Sequence, residues 1–339
     1  MKLMNPTYLA MIGTLAAVGS VYADQLLDDP ESQAHANWRA VMAQNPTPGE
    51  GCFHASYPDI VWQSVECEKG EPRVQPVHVN PTDAETEVAG NGNDYIARAQ
   101  GLISFANGVL AIKGVTSEKG VGVAEYKDAG ILGPNEYSVQ LNTNDKLTTS
   151  ACAGHSGCTV WQQFVYVPDY LKKGHADVFM QYWLLGWGSS CPGGWTQKGA
   201  NCVANSSYAK APDIPITDLG KVQLTGTAIA GGDDYVTLAY GSDVYTITAN
   251  DDLLHISSVW DKAEFNVLGN GGGSRADFNS GSSITVYLYL ADGSSSAPKC
   301  VPHGGTAGES NNLKLGTCTP SVLFSLGIYT PYIEFTESN

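Results

Sequence analysis

Charge is scarce in this chain of 339 residues, and positive charge most of all. Asp and Glu number 34 against 18 Lys and Arg, giving a formal net charge of -16. Arg occurs only as Arg39, Arg73, Arg98 and Arg275. A surface of that sign repels phosphate backbones and anionic headgroups, so nucleic acid is not expected as a partner. Beyond the N-terminal leader no apolar run approaches spanning length, which argues against membrane insertion. Several chemical signatures are missing as well. Gly154-His-Ser-Gly-Cys158 fails the nucleophile-elbow pattern at its last position. There is no His-Glu-x-x-His helix, no phosphate-binding loop and no closely spaced Cys/His ligand set. Serine-nucleophile, metal and nucleotide chemistry have no support in these motifs, and no metal or cofactor is expected.

What is present begins with a leader. Lys2 is followed by the apolar run Tyr8-Leu-Ala-Met-Ile-Gly-Thr-Leu-Ala-Ala-Val18, and small residues lead to Val21-Tyr22-Ala23. This is the pattern of a secretory signal peptide over 1–23, cleaved after Ala23. A membrane anchor fits less well, because Gly13 and Thr14 interrupt a run that is already short. The expected product is secreted, extracellular or periplasmic, and monomeric. Eight Cys in an exported chain form an even set: Cys52, Cys67, Cys152, Cys158, Cys191, Cys202, Cys300 and Cys318. Each consecutive pair brackets a Gly- or Pro-rich loop, so nearest-neighbour pairing is predicted.

Helix-forming residues thin out beyond position 45, while Gly (38), Tyr (17), Ser and Thr are plentiful. Turn residues recur at roughly 8–12-residue spacing, the texture of an all-β sandwich or barrel. One helix is predicted, over 28–45. Asp29 serves as N-cap, Pro30 takes the first helical position, Glu31 faces the positive end, and Asn45-Pro46 stops it. Its stripe of Trp38, Val41 and Met42 suits either a cap packed on the sandwich or a pro-segment. Residues 46–87 read as irregular and disulfide-stapled. The chain thus divides into leader, an N-terminal segment over 24–87 and a β-sandwich domain over 88–339. Within the last, strands are predicted over 95–99, 101–105, 109–115, 122–126, 137–142, 222–228, 235–239, 244–248, 253–257, 263–268, 284–290 and 332–336. The Asp and Asn clusters at 91–94, 233–234 and 250–252 suit turns better than calcium, since none has calcium-loop spacing.

Two stretches carry the candidate chemistry. In Val160-Trp-Gln-Gln-Phe-Val-Tyr-Val167 and the run from Asp177 to Trp187, both strand faces are partly aromatic. Phe179, Gln181 and Trp183 share one face of the second run, since strand side chains alternate. One face either lines a cleft or belongs to an aromatic-rich core. The later stretch, 259–289, reads as two strands around the Gly-rich loop 269–273, with Glu264, Asn266 and Leu268 on one face.

The order of these segments resembles the glutamic peptidases (eqolisins), acid endopeptidases built as concanavalin-like two-sheet sandwiches. The resemblance runs from Trp161 through Phe179-Met-Gln181 and Ala263-Glu264-Phe265-Asn-Val-Leu268 to Arg275-Ala-Asp-Phe278 and the strand over 284–290. It is patchy and its motifs are short. The whole chain also resembles a set of exported bacterial proteins with a Phe335-Thr-Glu-Ser-Asn339-like tail. The family resemblance implies an antiparallel jelly roll in which a Glu acts as general base and then acid and Gln181 donates to the oxyanion, with Glu264 the acidic residue on that strand to take the Glu role. It also implies that Trp161, Phe179 and Trp183 contact a polypeptide substrate. The match breaks at Leu268, which occupies the position of the family's catalytic Glu. Three readings follow: a secreted acid-acting endopeptidase, a non-catalytic sandwich whose aromatic face binds glycan or peptide, or an exported structural protein with an aromatic core.

Overall fold

Alternation along single strands decides the layers. In the strand Thr159–Val167, Val160, Gln162, Phe164 and Tyr166 point one way, and Trp161, Gln163, Val165 and Val167 the other. All eight are buried. The first set enters the main core; the aromatic and apolar members of the second form separate clusters. A strand covered on both faces needs a layer on each side of its sheet.

The computed structural model describes residues 30–70, 88–123, 130–325 and 327–339. The leader predicted over 1–23 and the N-cap Asp29 lie outside the described residues. Within them the chain forms the expected all-β sandwich of two antiparallel-dominated sheets. The large sheet runs Gln63–Val65, Gly51–Ser56, Asp243–Asn250, Asp233–Tyr240, Val222–Thr227 and Phe105–Lys113, then continues through Ser283–Ala291, Ile328–Ser338, Ser310–Ser325, Arg275–Phe278, Glu118–Val121 and Gly133–Pro134. Val88–Gly90 also pairs with Ser310–Ser325. The small sheet runs Thr196–Lys198, Asn201–Asn205, Ala176–Leu185, Thr159–Val167, Tyr137–Asn142, Lys262–Gly269, Ile96–Arg98 and Lys299–Val301. Ala209–Ala211 adds to Ala176–Leu185. Arg275–Phe278 runs parallel to Ser310–Ser325, so the Gly-rich loop after Lys262–Gly269 carries the chain from one sheet to the other.

The sheets approach through glycine. A Cβ on Gly108 would lie 2.2 Å from the Phe265 ring, and one on Gly226 would lie 2.5 Å from the Phe164 ring. Both phenylalanines belong to the small sheet and seat on bare backbone of the large one. The gap is closed by ring against glycine, at the density expected of a protein interior.

The helix Pro30–Met42 caps the large sheet from outside. Trp38 and Met42 pack with Phe53, Ala55, Trp62, Ala239 and Val244. Trp38 Nε1 donates to Asp59 O at 2.7 Å and Arg39 Nη1 to Gly241 O at 2.7 Å.

Several expected elements differ. Gly51–Ser56 is a strand of the large sheet, where irregular chain was expected, because Phe53 and Ala55 alternate into the helix-covered layer. The strand expected at 253–257 is instead two 3-10 turns, Asp251–Leu253 and Ile256–Ser258. There the Asp251 carboxylate accepts from Ser257 N and Oγ, and this local side-chain bonding holds a turn. The separate strands expected at 101–105 and 109–115 are one, Phe105–Lys113. The short C-terminal strand is the middle of the longer Ile328–Ser338.

Candidate functional site

All four disulfides follow nearest-neighbour pairing: Cys52–Cys67, Cys152–Cys158, Cys191–Cys202 and Cys300–Cys318. Such bonds persist in oxidising surroundings of the extracellular type. Among the described residues no helix is long and apolar enough to cross a membrane.

The outward face of the small sheet carries a row of polar side chains at its centre. Strand register places Glu264 opposite Asn142, Asn142 opposite Gln163, Gln163 opposite Gln181, and Gln181 opposite Asn205. Ser138 and Gln140 stand on the same face as Asn142, and Asn266 on that of Glu264. Adjacent strands lie about 4.8 Å apart, so three strand spacings put Glu264 and Gln181 roughly 14 Å from one another. The structure therefore brings the two expected catalytic groups to one face and one row, but not to one water molecule. Both are sealed from solvent, at 1% and 0% exposure.

Hydrogen bonds run along the row. Gln181 Nε2 donates to Asn205 Oδ1 at 2.9 Å. Trp183 Nε1 donates to both Gln181 Oε1 and Gln163 Oε1 at 3.1 Å. Gln163 Nε2 reaches Gln140 Oε1 at 3.2 Å, and Asn142 Nδ2 reaches the same oxygen at 3.4 Å. Gln140 Nε2 donates to Ser138 Oγ at 2.9 Å and Glu309 Oε2 at 3.3 Å. The expected aromatic residues sit at one end of this network. Trp161 and Trp183 lie with ring centroids 5.9 Å apart, and Phe179 stacks on Tyr170 at 4.7 Å and meets Tyr208 at 5.0 Å. All three are 2% exposed or less, so none is open for stacking on a ligand in this state.

At the other end four carboxyl groups are buried together. Glu264 Oε2 accepts from Thr306 N at 2.5 Å and Thr306 Oγ1 at 2.6 Å, with Asn142 and Asp94 against it. Asp94 accepts from Asn266 Nδ2 at 2.9 Å and from Tyr95 N at 2.7 Å. Glu337 accepts from Asn311 at 3.0 Å and Asn266 at 3.4 Å, and Glu309 from Gly273 N at 3.2 Å. Burial raises all four pKa values. Asp94 goes well above the usual range, pushed further by the charges of Glu264 and Glu337. Glu264 is raised, and Glu309 and Glu337 are each pushed up to about 8. With values near 8, Glu309 and Glu337 hold their protons in acid media.

The segment 302–309, between Lys299–Val301 and Ser310–Ser325, covers this end. A Cβ on Gly305 would stand 2.7 Å from Asp94 Cβ and 2.9 Å from Glu264 Oε1, so backbone rests directly on the acid pair. Ala307 packs with Leu268 and Ala89, which makes the Leu268 position part of an apolar seal.

Asp94, Asn142, Gln140, Gln163, Thr306, Glu309 and Glu337 were not singled out from sequence. One signal was available: Tyr137–Asn142 alternates Tyr137, Val139 and Leu141 with Ser138, Gln140 and Asn142, a strand with one wholly polar face. Asp94 lay hidden in a turn cluster. Among the described residues no group of three or more His, Cys, Asp or Glu is placed to hold a metal ion.

No protein-family model and no curated protein matches the chain. Among solved structures it is similar to scytalido-glutamic peptidase with a transition state analog inhibitor. The identity is 11% and the TM-score 0.26, over 73% of this chain and 98% of that one.

Proposed function

We propose that the protein is a secreted hydrolase of glutamic-peptidase type that cleaves polypeptide in acid. The observation that supports this best is Glu264 itself: a raised carboxyl with Asp94 beside it, at the end of a row of amide side chains. Once ionised, a form that its two bonds from Thr306 favour, the Glu264 carboxylate takes a proton from water as the water adds to a scissile carbonyl, then returns it to the leaving amine. Asp94 keeps a second proton next to that reaction. Asn142, directly opposite Glu264, is the nearest amide in the row to serve the oxyanion. Gln181, the donor expected from the resemblance, would work from three strands away through the amide row, by fixing Trp183 and Gln163.

In this reading residues 302–309 lie over the working groups and substrate enters when they lift. The test is cleavage of denatured casein across about pH 3–7, by the mature protein beside Glu264→Gln. Loss of cleavage in a variant with unchanged circular dichroism supports the assignment. Cleavage equal to wild type in Glu264→Gln removes Glu264 from the chemistry, and a folded wild type inert at every acid pH removes the peptidase.

A further inference from the structure

A second polar cluster lies inside the sandwich, away from the row just described. Two of the Asp/Asn clusters of the sequence, 233–234 and 250–252, are separate in the chain but meet in the fold. Antiparallel pairing sets Asp233 opposite Asn250 and Asp234 opposite Ala249, which brings Asp251 to the same end of the large sheet. Asp234 and Asp251 are buried, at 1% and 3% exposure, and their carboxyl groups face one another. Asp251 is anchored by Ser257 N at 3.4 Å and Ser257 Oγ at 2.5 Å.

The small sheet reaches across to this pair. Gln162 and Tyr182 are register partners on its inner face. Gln162 Nε2 donates to Asp234 Oδ2 at 2.8 Å, which leaves Gln162 Oε1 with no hydrogen-bond donor. Asp234 Oδ1 has no donor, and the Tyr182 hydroxyl, set against Asp234 and Asp251, has no partner. Gln162 and Tyr182 are 0% and 1% exposed. Thus three oxygens without a hydrogen-bond partner, Asp234 Oδ1, Gln162 Oε1 and the Tyr182 hydroxyl, lie in a dry place around two facing carboxyl groups. Buried polar atoms are ordinarily satisfied. Two like charges brought together without a counter-ion are costly.

We propose that this cluster binds a hard divalent cation, calcium above all, through Asp234, Asp251, Gln162 and Tyr182. All four donors are oxygens, which calcium accepts in flexible geometry and soft metals do not. Two carboxylates with neutral oxygens make a weaker site than a calcium loop, of the order found in extracellular modules, about 10⁻⁴–10⁻³ M. Such a site fills in calcium-rich surroundings outside the cell. The bound ion would pin strand Asp233–Tyr240 and the turn at Asp251 to the two central strands of the small sheet.

The experiment is calorimetric titration of the EDTA-treated mature protein with calcium chloride at neutral pH, with thermal melting at each concentration. One equivalent should bind, raising the melting temperature by a few degrees, with magnesium weaker. Tyr182→Phe keeps the ring in the core and should weaken calcium binding by roughly tenfold. Asp251→Asn should abolish it. If calcium gives no heat and no shift while lowering the pH raises the melting temperature, the carboxyl pair is held by a shared proton and the cation site is overturned. Full-strength binding in Tyr182→Phe and Asp251→Asn would place the ion elsewhere and overturn the assignment equally.

Discussion

Thr306 binds the Glu264 carboxylate twice, its N–H and its hydroxyl both landing on Oε2, at 2.5 and 2.6 Å. Both bonds favour the ionised form and oppose the effect of burial. Thr306→Val removes the hydroxyl and keeps the backbone bond. The expected cost is about 1–3 kcal/mol in urea denaturation, since a bond to a charged group is lost in a buried place. The Glu264 pKa should climb further, moving the acid limb of any pH–rate profile upward.

With Glu118, Glu136 and Asp177, Glu309 and Glu337 contribute to the pH dependence of stability. Each holds its proton up to about 8 in the folded chain, against 4.5 for the free carboxyl. Between those values the unfolded chain has released protons that the folded chain keeps, so raising the pH favours unfolding. Stability should be highest below about pH 4.5 and decline toward about pH 8. Melting temperatures across that range measure it. Glu309→Gln and Glu337→Gln should each flatten the decline, and an unaltered slope in both would assign the dependence to other groups.

Gly305→Ala tests the cover. The new methyl meets Asp94 Cβ at 2.7 Å and Glu264 Oε1 at 2.9 Å, so something must shift. Amide exchange over 302–309 should quicken, the melting temperature should fall, and casein cleavage should become faster. Unchanged exchange would mean that backbone does not seal the acid pair.

Gly108→Ala tests the sandwich itself. Its Cβ would overlap the Phe265 ring at 2.2 Å. Forcing the ring off its seat should cost about 1–3 kcal/mol, as overpacking does. Pairing with Phe265→Leu should recover part of it, which a double-mutant cycle in urea would show.

Much of the fold was legible because it rests on local rules. Strand alternation, turn spacing and cysteine proximity gave the sandwich, most of its strands and all four disulfides. The helix was legible from its stripe, of which Trp38 and Met42 pack inward while Val41 stays exposed. Elements whose identity depends on distant partners were not. Gly51–Ser56 earns its place through Asp243–Asn250, almost two hundred positions away. The site was half legible for the same reason. Trp161, Phe179, Gln181, Trp183 and Glu264 do share one face, as alternation and strand order imply. Their spacing depends on Tyr137–Asn142 and Thr159–Val167 lying between Glu264 and Gln181, and pairing order is not written in either strand. Asp94 comes from a turn, Glu309 from the segment ahead of Ser310–Ser325 and Glu337 from the C-terminal strand, and only the fold brings them to Glu264.

One bond constrains the whole site. Cys300 lies in a strand of the small sheet and Cys318 in a strand of the large one, and the other three disulfides join no such pair of strands. Residues 302–309 therefore belong to a closed covalent ring, not a flap hinged at one root. A ring can bulge but cannot swing clear. On the proposed peptidase reading, such a bulge would admit a thin extended chain threaded lengthwise, and a folded domain would be turned away at the rim until it had been unravelled.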